Sequence, residues 1–185
     1  MMVEIALQLI AYLLAGLTLK LGDDLLDELD RPSLAWYPLG IAGVLFGILM
    51  AINEWNLVLL TAIVAGVLLS GKVNRRQFTV GFVLIAVILL LFGIPVVTDL
   101  LGWLAMLFML FMASVLDEKG NDWVERAANP KISLFFKYRF TLKITALLLV
   151  IPWVGFLIAA IGIWAFDLGY ELIGWLIRRS LQTGP

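Results

Sequence analysis

Nine of the fourteen acidic residues in this sequence fall in two short stretches. KLGDDLLDELDRP, residues 20–32, places Asp23, Asp24, Asp27, Glu28 and Asp30 within eight positions, and SVLDEKGNDWVERAANPK, residues 114–131, holds Asp117, Glu118, Asp122 and Glu125. Clustered carboxylates with no nitrogen or sulfur partner suit a hard cation, Mg²⁺ or Ca²⁺. Mg²⁺ takes one or two protein carboxylates and completes its shell with water and phosphate oxygens, so two clusters bridged through Mg²⁺ to a diphosphate make a coherent site. The chain has no histidine and no cysteine, which removes thiol redox chemistry, His or Cys haem ligation, a Cys/His zinc site and a His general base.

On a helix running past residue 20, Asp23, Asp27 and Asp30 share one face at i, i+4 and i+7, with Asp24, Glu28 and Arg31 on the adjacent one. Like charges one turn apart repel, and acids at a helix C-terminus oppose its dipole, each by roughly a few tenths of a kcal/mol. A cation between the carboxylates relieves both effects.

The elements that must position these groups are membrane helices. The chain has 185 residues, 63% of them hydrophobic and 15% charged, with a mean hydropathy of +1.04, far from soluble usage. Crossing about 30 Å of hydrocarbon takes about 20 apolar residues. Continuous apolar runs, not alternating ones, fill residues 3–19, 33–53, 55–71, 77–95 and 98–116, so helices are expected, not a barrel. The first run opens with Glu4 and lacks a small-residue cleavage site, so it reads as a retained span instead of a signal peptide. Residues 140–177 are too long for one upright helix and carry Pro152, Gly155, Gly162, Asp167 and Glu171. They form two spans, or one span plus an interfacial helix, DLGYELIGWLIRR. A single all-α transmembrane domain with six or seven helices follows.

Eleven of the thirteen basic residues lie in the first, third and fifth loops or one turn beyond. The positive-inside rule therefore puts the N-terminus outside and both acidic stretches on the cytoplasmic side of a multi-pass cytoplasmic-membrane protein. The remaining pair, Arg178 and Arg179, falls inside as well if residues 140–177 cross twice.

GDDLLDELDRP resembles the first aspartate-rich motif of the UbiA superfamily of intramembrane prenyltransferases, Asn-Asp-x-x-Asp-x-x-x-Asp followed by Arg-Pro. Asp24 and Asp27 match its first two aspartates and Arg31-Pro32 its trailing pair. Asp23 stands in the Asn position, and Asp30 is one residue early. Asp117 and Asp122 stand in for the second motif, with Asn121 at the usual i+4 place. In that family two cytoplasmic Asp motifs are likewise separated by four spans. The resemblance implies Mg²⁺ held by Asp23, Asp24, Asp27, Asp117, Asn121 and Asp122, with Asp24, Asp27, Asp117 and Asp122 carrying the ionisation of an isoprenoid diphosphate. Lys20, Arg31, Lys137, Arg139 and Lys143 would hold the diphosphate, and Trp36, Tyr37 and Phe46 the prenyl tail.

Other readings stand beside this one. Acidic loops are often solvated caps on helix ends, locally paired with Lys20, Arg31, Lys119 and Arg126. Asp167 and Glu171, one turn apart in an apolar stretch, suit a proton or cation path if they lie within a span, since ionisable groups in a membrane are costly and usually functional. A small cation or proton-coupled transporter or channel is then the alternative, and a non-catalytic membrane subunit a third. The glycines of GIAGVLFG, with Gly16 and Gly66, offer small residues for close helix contact. A net charge of −1 with interleaved signs argues against nucleic acid, and sequence sets no oligomeric state.

Overall fold

A computed structural model describes residues 2–69, 75–127, 135–136 and 138–182, of which 121, 122 and 124–127 are described by backbone alone. Those residues form seven main helices: α1 (Met2–Asp27), α2 (Pro32–Ile52), α3 (Glu54–Leu69), α4 (Gln77–Phe92), α5 (Leu100–Ala127), α6 (Phe140–Leu149) and α7 (Leu157–Gln182), with a single 3-10 turn over Val154–Phe156. Four of them, α1, α2, α5 and α7, are long and apolar enough to cross a membrane. The other three are shorter than the expected spans, at 16, 16 and 10 residues for α3, α4 and α6.

Local chemistry sets several helix ends. Asp30 takes the left-handed φ of 47°, which Asp tolerates better than most residues. The chain turns there, Arg31 N donates to Leu25 O at 2.7 Å, and Pro32 starts α2 at the position where a missing N–H costs nothing. Asn53 Oδ1 accepts from Asn56 N at 2.9 Å and Asp99 Oδ1 from Gly102 N at 3.0 Å, side-chain caps for α3 and α5. After α6 the chain turns through Val150–Trp153, around Pro152, before the 3-10 turn and α7.

Two departures from the expected boundaries matter. Helix α1 stops at Asp27, so Asp30 lies in the turn and does not share a helical face with Asp23 and Asp27. Helix α5 runs on to Ala127, so the second acidic stretch begins as helix and not as a loop.

The chain divides into two compact units: Met1–Ala51, Arg75–Ile94 and Ile161–Pro185 in the first, Ile52–Asn74 and Pro95–Ala160 in the second. In the first, Leu26, Ala35 and Leu39 close the α1–α2 hairpin with Leu19, Leu25, Phe78 and Val80 around them. Helices α1 and α7 run parallel, Tyr12 meeting Gly162, Gly16 the Phe166 carbonyl and Lys20 Gly174. A Cβ at Gly16 would overlap that carbonyl, so glycine is what lets the two backbones approach. Helices α2 and α4 are also parallel, with Gly43 against Gly81 and Gly47 against Ile88, and Phe46 packs edge-on against Phe166 at 5.7 Å.

In the second unit, Trp103 Nε1 donates to Glu54 O at 3.2 Å near the start of both α3 and α5, and Gly66 meets Ser114 further along both. That pair is parallel too. Helix α6 returns antiparallel to α5, its first turn beside Asp117 and Trp153, beyond its end, beside Gly102.

Candidate functional site

Each unit holds one cluster of buried ionisable groups. In the first it is built where α1 and α7 run side by side. Lys20, Asp23 and Asp24 are spaced i, i+3 and i+4 on α1, so one ammonium reaches both acids. Lys20 Nζ lies 2.7 Å from Asp24 Oδ1 and 3.3 Å from Asp23 Oδ2. Tyr170 of α7 closes the group, its hydroxyl donating to Asp23 Oδ2 at 3.3 Å and its ring centre 5.1 Å from the Lys20 ammonium. Asp24 is 4% exposed; Asp27, Glu28, Asp30 and Arg31 are exposed. The acidic stretch is therefore split into an inner part neutralised by Lys20 and an outer rim in contact with solvent. Asp27, on that rim, has no partner among the described residues.

This arrangement changes the charge argument. The sequence places a cation between the carboxylates, and for Asp23 and Asp24 Lys20 is that cation. Repulsion among these two no longer demands a metal, and Lys20 is engaged with acids of its own helix.

In the second unit Asp117 reaches from α5 to the start of α6. Its Oδ1 accepts from Thr141 N at 3.1 Å and its Oδ2 from Leu142 N at 2.8 Å. These amides are among the four that a helix start leaves without intrahelical partners, and a carboxylate there also meets the positive end of the dipole. Arg139, at the N-cap position with a left-handed φ of 51°, directs its guanidinium to Glu118 Oε1 at 3.5 Å. Asp117 and Glu118 are 2% and 8% exposed. Lys143 is buried on α6, its ammonium 5.4 Å from the Phe140 ring centre.

Asp24 and Asp117, the aspartates at the head of the two motifs, are thus both buried, and Glu118 is buried beside Asp117. The side chains of Asn121 and Asp122, and all of Lys137, lie outside the described residues. Trp36 and Tyr37 are exposed on α2, while Phe46 is buried against Phe166. Asp167 and Glu171 lie well inside α7, which runs unbroken past both, and Arg178 approaches Glu171 at 3.9 Å.

Among the described residues no three acids converge as a metal-binding group. The donor chemistry still fits Mg²⁺ in kind, because that ion needs only one or two protein carboxylates and Asp27 offers open oxygens. Ser114, Glu118 and Tyr170 were not singled out by the motifs. Glu118 carries a sequence signal as an acid of the second stretch, and Tyr170 carries one in its place between Asp167 and Glu171 on one helix. Comparison with protein-family models, curated proteins and solved structures finds no match for this chain.

Proposed function

We propose that the chain is a polytopic membrane protein of prenyltransferase-like character, binding an isoprenoid diphosphate with Mg²⁺ at its two cytoplasmic Asp-rich segments. The observation that carries this reading is the burial of Asp24 and Asp117. A merely solvated cap would leave both in water, whereas each is enclosed beside fixed positive charge, Lys20 for one and the start of α6 for the other. Asp27 and the half-exposed Asp23 present carboxylate oxygens toward solvent at the end of α1, where a ligand with an apolar tail and a charged head arrives from the membrane. Lys20 and Arg139 lie beside the two segments as cations, each shared with acids of its own cluster. Bound Mg²⁺ supplies neutralisation of the departing diphosphate.

The topology is part of the proposal. Helices that cross a membrane in succession alternate in direction, so helices of equal parity run parallel. The pairs α1/α7, α2/α4 and α3/α5 all do. This supports seven passes, with the N-terminus outside and the ends of α1, α5 and α7 in the cytoplasm. The proposal is tested by incubating the purified protein with a radiolabelled allylic isoprenoid diphosphate and Mg²⁺. Release of inorganic diphosphate that stops on chelation supports it, and none in the presence of lipid acceptors counts against it.

One observation favours a second reading, proton or cation transport. Helix α7 is continuous through Asp167 and Glu171, which places both at membrane depth if α7 crosses. Asp167→Asn should then abolish ion flux in liposomes, and an unchanged flux removes the reading.

A further inference from the structure

The outward face of α7 ends in a cation. Ile161, Trp164, Leu168, Leu172 and Trp175 follow one another at spacings of three or four residues, so they form one row along the helix. Arg179 is the next position in that row. All six are exposed, whereas Ile163, Phe166 and Ile177 on the opposite side are buried. From Ile161 to Arg179 the row rises about 27 Å at 1.5 Å per residue, close to the thickness of the hydrocarbon of a bilayer. With Ile161 at one boundary, Arg179 stands at the level of the lipid phosphates at the other. We propose that Trp175 and Arg179 form the head-group site for one anionic phospholipid, its phosphate on the Arg179 guanidinium and an acyl chain along Leu172 and Leu168.

The two adjacent arginines divide the work. Arg178 lies off the row and approaches Glu171 Oε2 at 3.9 Å, so an acid of the same helix answers its charge. Arg179 instead lies over the indole of Trp175, its guanidinium carbon 5.2 Å from the ring centre. That contact restrains a long side chain on the lipid-facing side. A guanidinium held there presents a planar fork of donors, which matches two oxygens of a phosphate. Tryptophan suits the same depth, with an apolar body and a polar edge at the membrane boundary.

The order of groups selects the occupant. Within one turn the row changes from apolar to cationic, as a lipid changes from acyl chain to phosphate. A zwitterionic head group brings a cation of its own toward Arg179, so an anionic one is favoured. A second copy of the chain, docked row against row about a two-fold axis, would bring two Arg179 guanidiniums together. That repulsion argues against self-association through this face. The inference rests on α7 crossing the membrane, and on neither its direction nor the binding of a diphosphate.

The test is native mass spectrometry of the full chain in detergent, titrated with phosphatidylglycerol and, separately, with phosphatidylcholine of the same acyl chains. The first phosphatidylglycerol should bind about tenfold more tightly than phosphatidylcholine. Arg179→Gln should abolish that preference, and Arg179→Lys, which keeps the charge but loses the fork, should reduce it about threefold. Arg178→Gln should leave it within about twofold, because Arg178 faces Glu171. Equal affinity for the two lipids overturns the site, as does a preference that survives Arg179→Gln. Equal losses in Arg178→Gln and Arg179→Gln would also overturn it, since they would mean diffuse charge attraction only.

Discussion

The Lys20 ammonium is 2.7 Å from Asp24 Oδ1, a pair one helical turn apart in which the carboxylate is almost wholly enclosed. Removing one member of such a pair leaves the other in poor solvent, which costs more than the pair itself contributes. Lys20 retains Asp23 at 3.3 Å, so Asp24→Asn should destabilise the protein by about 1–3 kcal/mol. Lowered Tm in detergent checks this, with Asp27→Asn as a control. Asp27 is exposed with no partner among the described residues, and its substitution should leave Tm unchanged.

Asp117 is expected to act first as a structural cap. Asp117→Ala deprives Thr141 and Leu142 of their acceptor and should cost about 1–2 kcal/mol. Asn retains one carbonyl acceptor and should cost less. Hydrogen exchange gives the site-specific readout: the amides of Thr141 and Leu142 should exchange faster in Asp117→Ala, while those of mid-α3 stay protected.

Gly16 should not tolerate a side chain. An added methyl meets the Phe166 carbonyl, which is backbone and cannot swing aside, so Gly16→Ala should cost about 1–3 kcal/mol through overpacking. The matching change at Gly40, whose nearest neighbour is the end of the Leu84 side chain at 3.4 Å, should cost less. A smaller Tm loss at Gly16 than at Gly40 contradicts the close α1–α7 contact.

The absence of cysteine makes topology directly measurable. Single cysteines at Asp27, Asp99 and Gln182, probed with a membrane-impermeant maleimide in sealed inside-out vesicles, should label at 27 and 182 and not at 99. Labelling of 27 and 182 from opposite sides would contradict seven passes and the parallel direction of α1 and α7.

Much of the fold is legible in the sequence for reasons that can be named. Continuous apolar runs mark the helices, Pro32 marks a start, and Pro152 marks the break that makes residues 140–177 two helices instead of one. The end of α5 is not legible, because charged residues that end an apolar run do not end a helix. Local pairing with Lys20 is legible, since its i+3 and i+4 neighbours are both aspartates. The role of Asp117 is not, because its partners are backbone amides 24 and 25 residues away that leave no trace in composition.

Equilibrium binding of a labelled isoprenoid diphosphate to the purified chain, with and without Mg²⁺, tests the proposed function most directly. Asp27→Asn is the decisive variant, because among the described residues Asp27 is a motif carboxylate whose loss breaks no hydrogen bond or ion pair. Saturable, Mg²⁺-dependent binding that weakens at least tenfold in a normally folded Asp27→Asn protein is the expected result. Binding that is absent, indifferent to Mg²⁺, or equal in wild type and variant would contradict it.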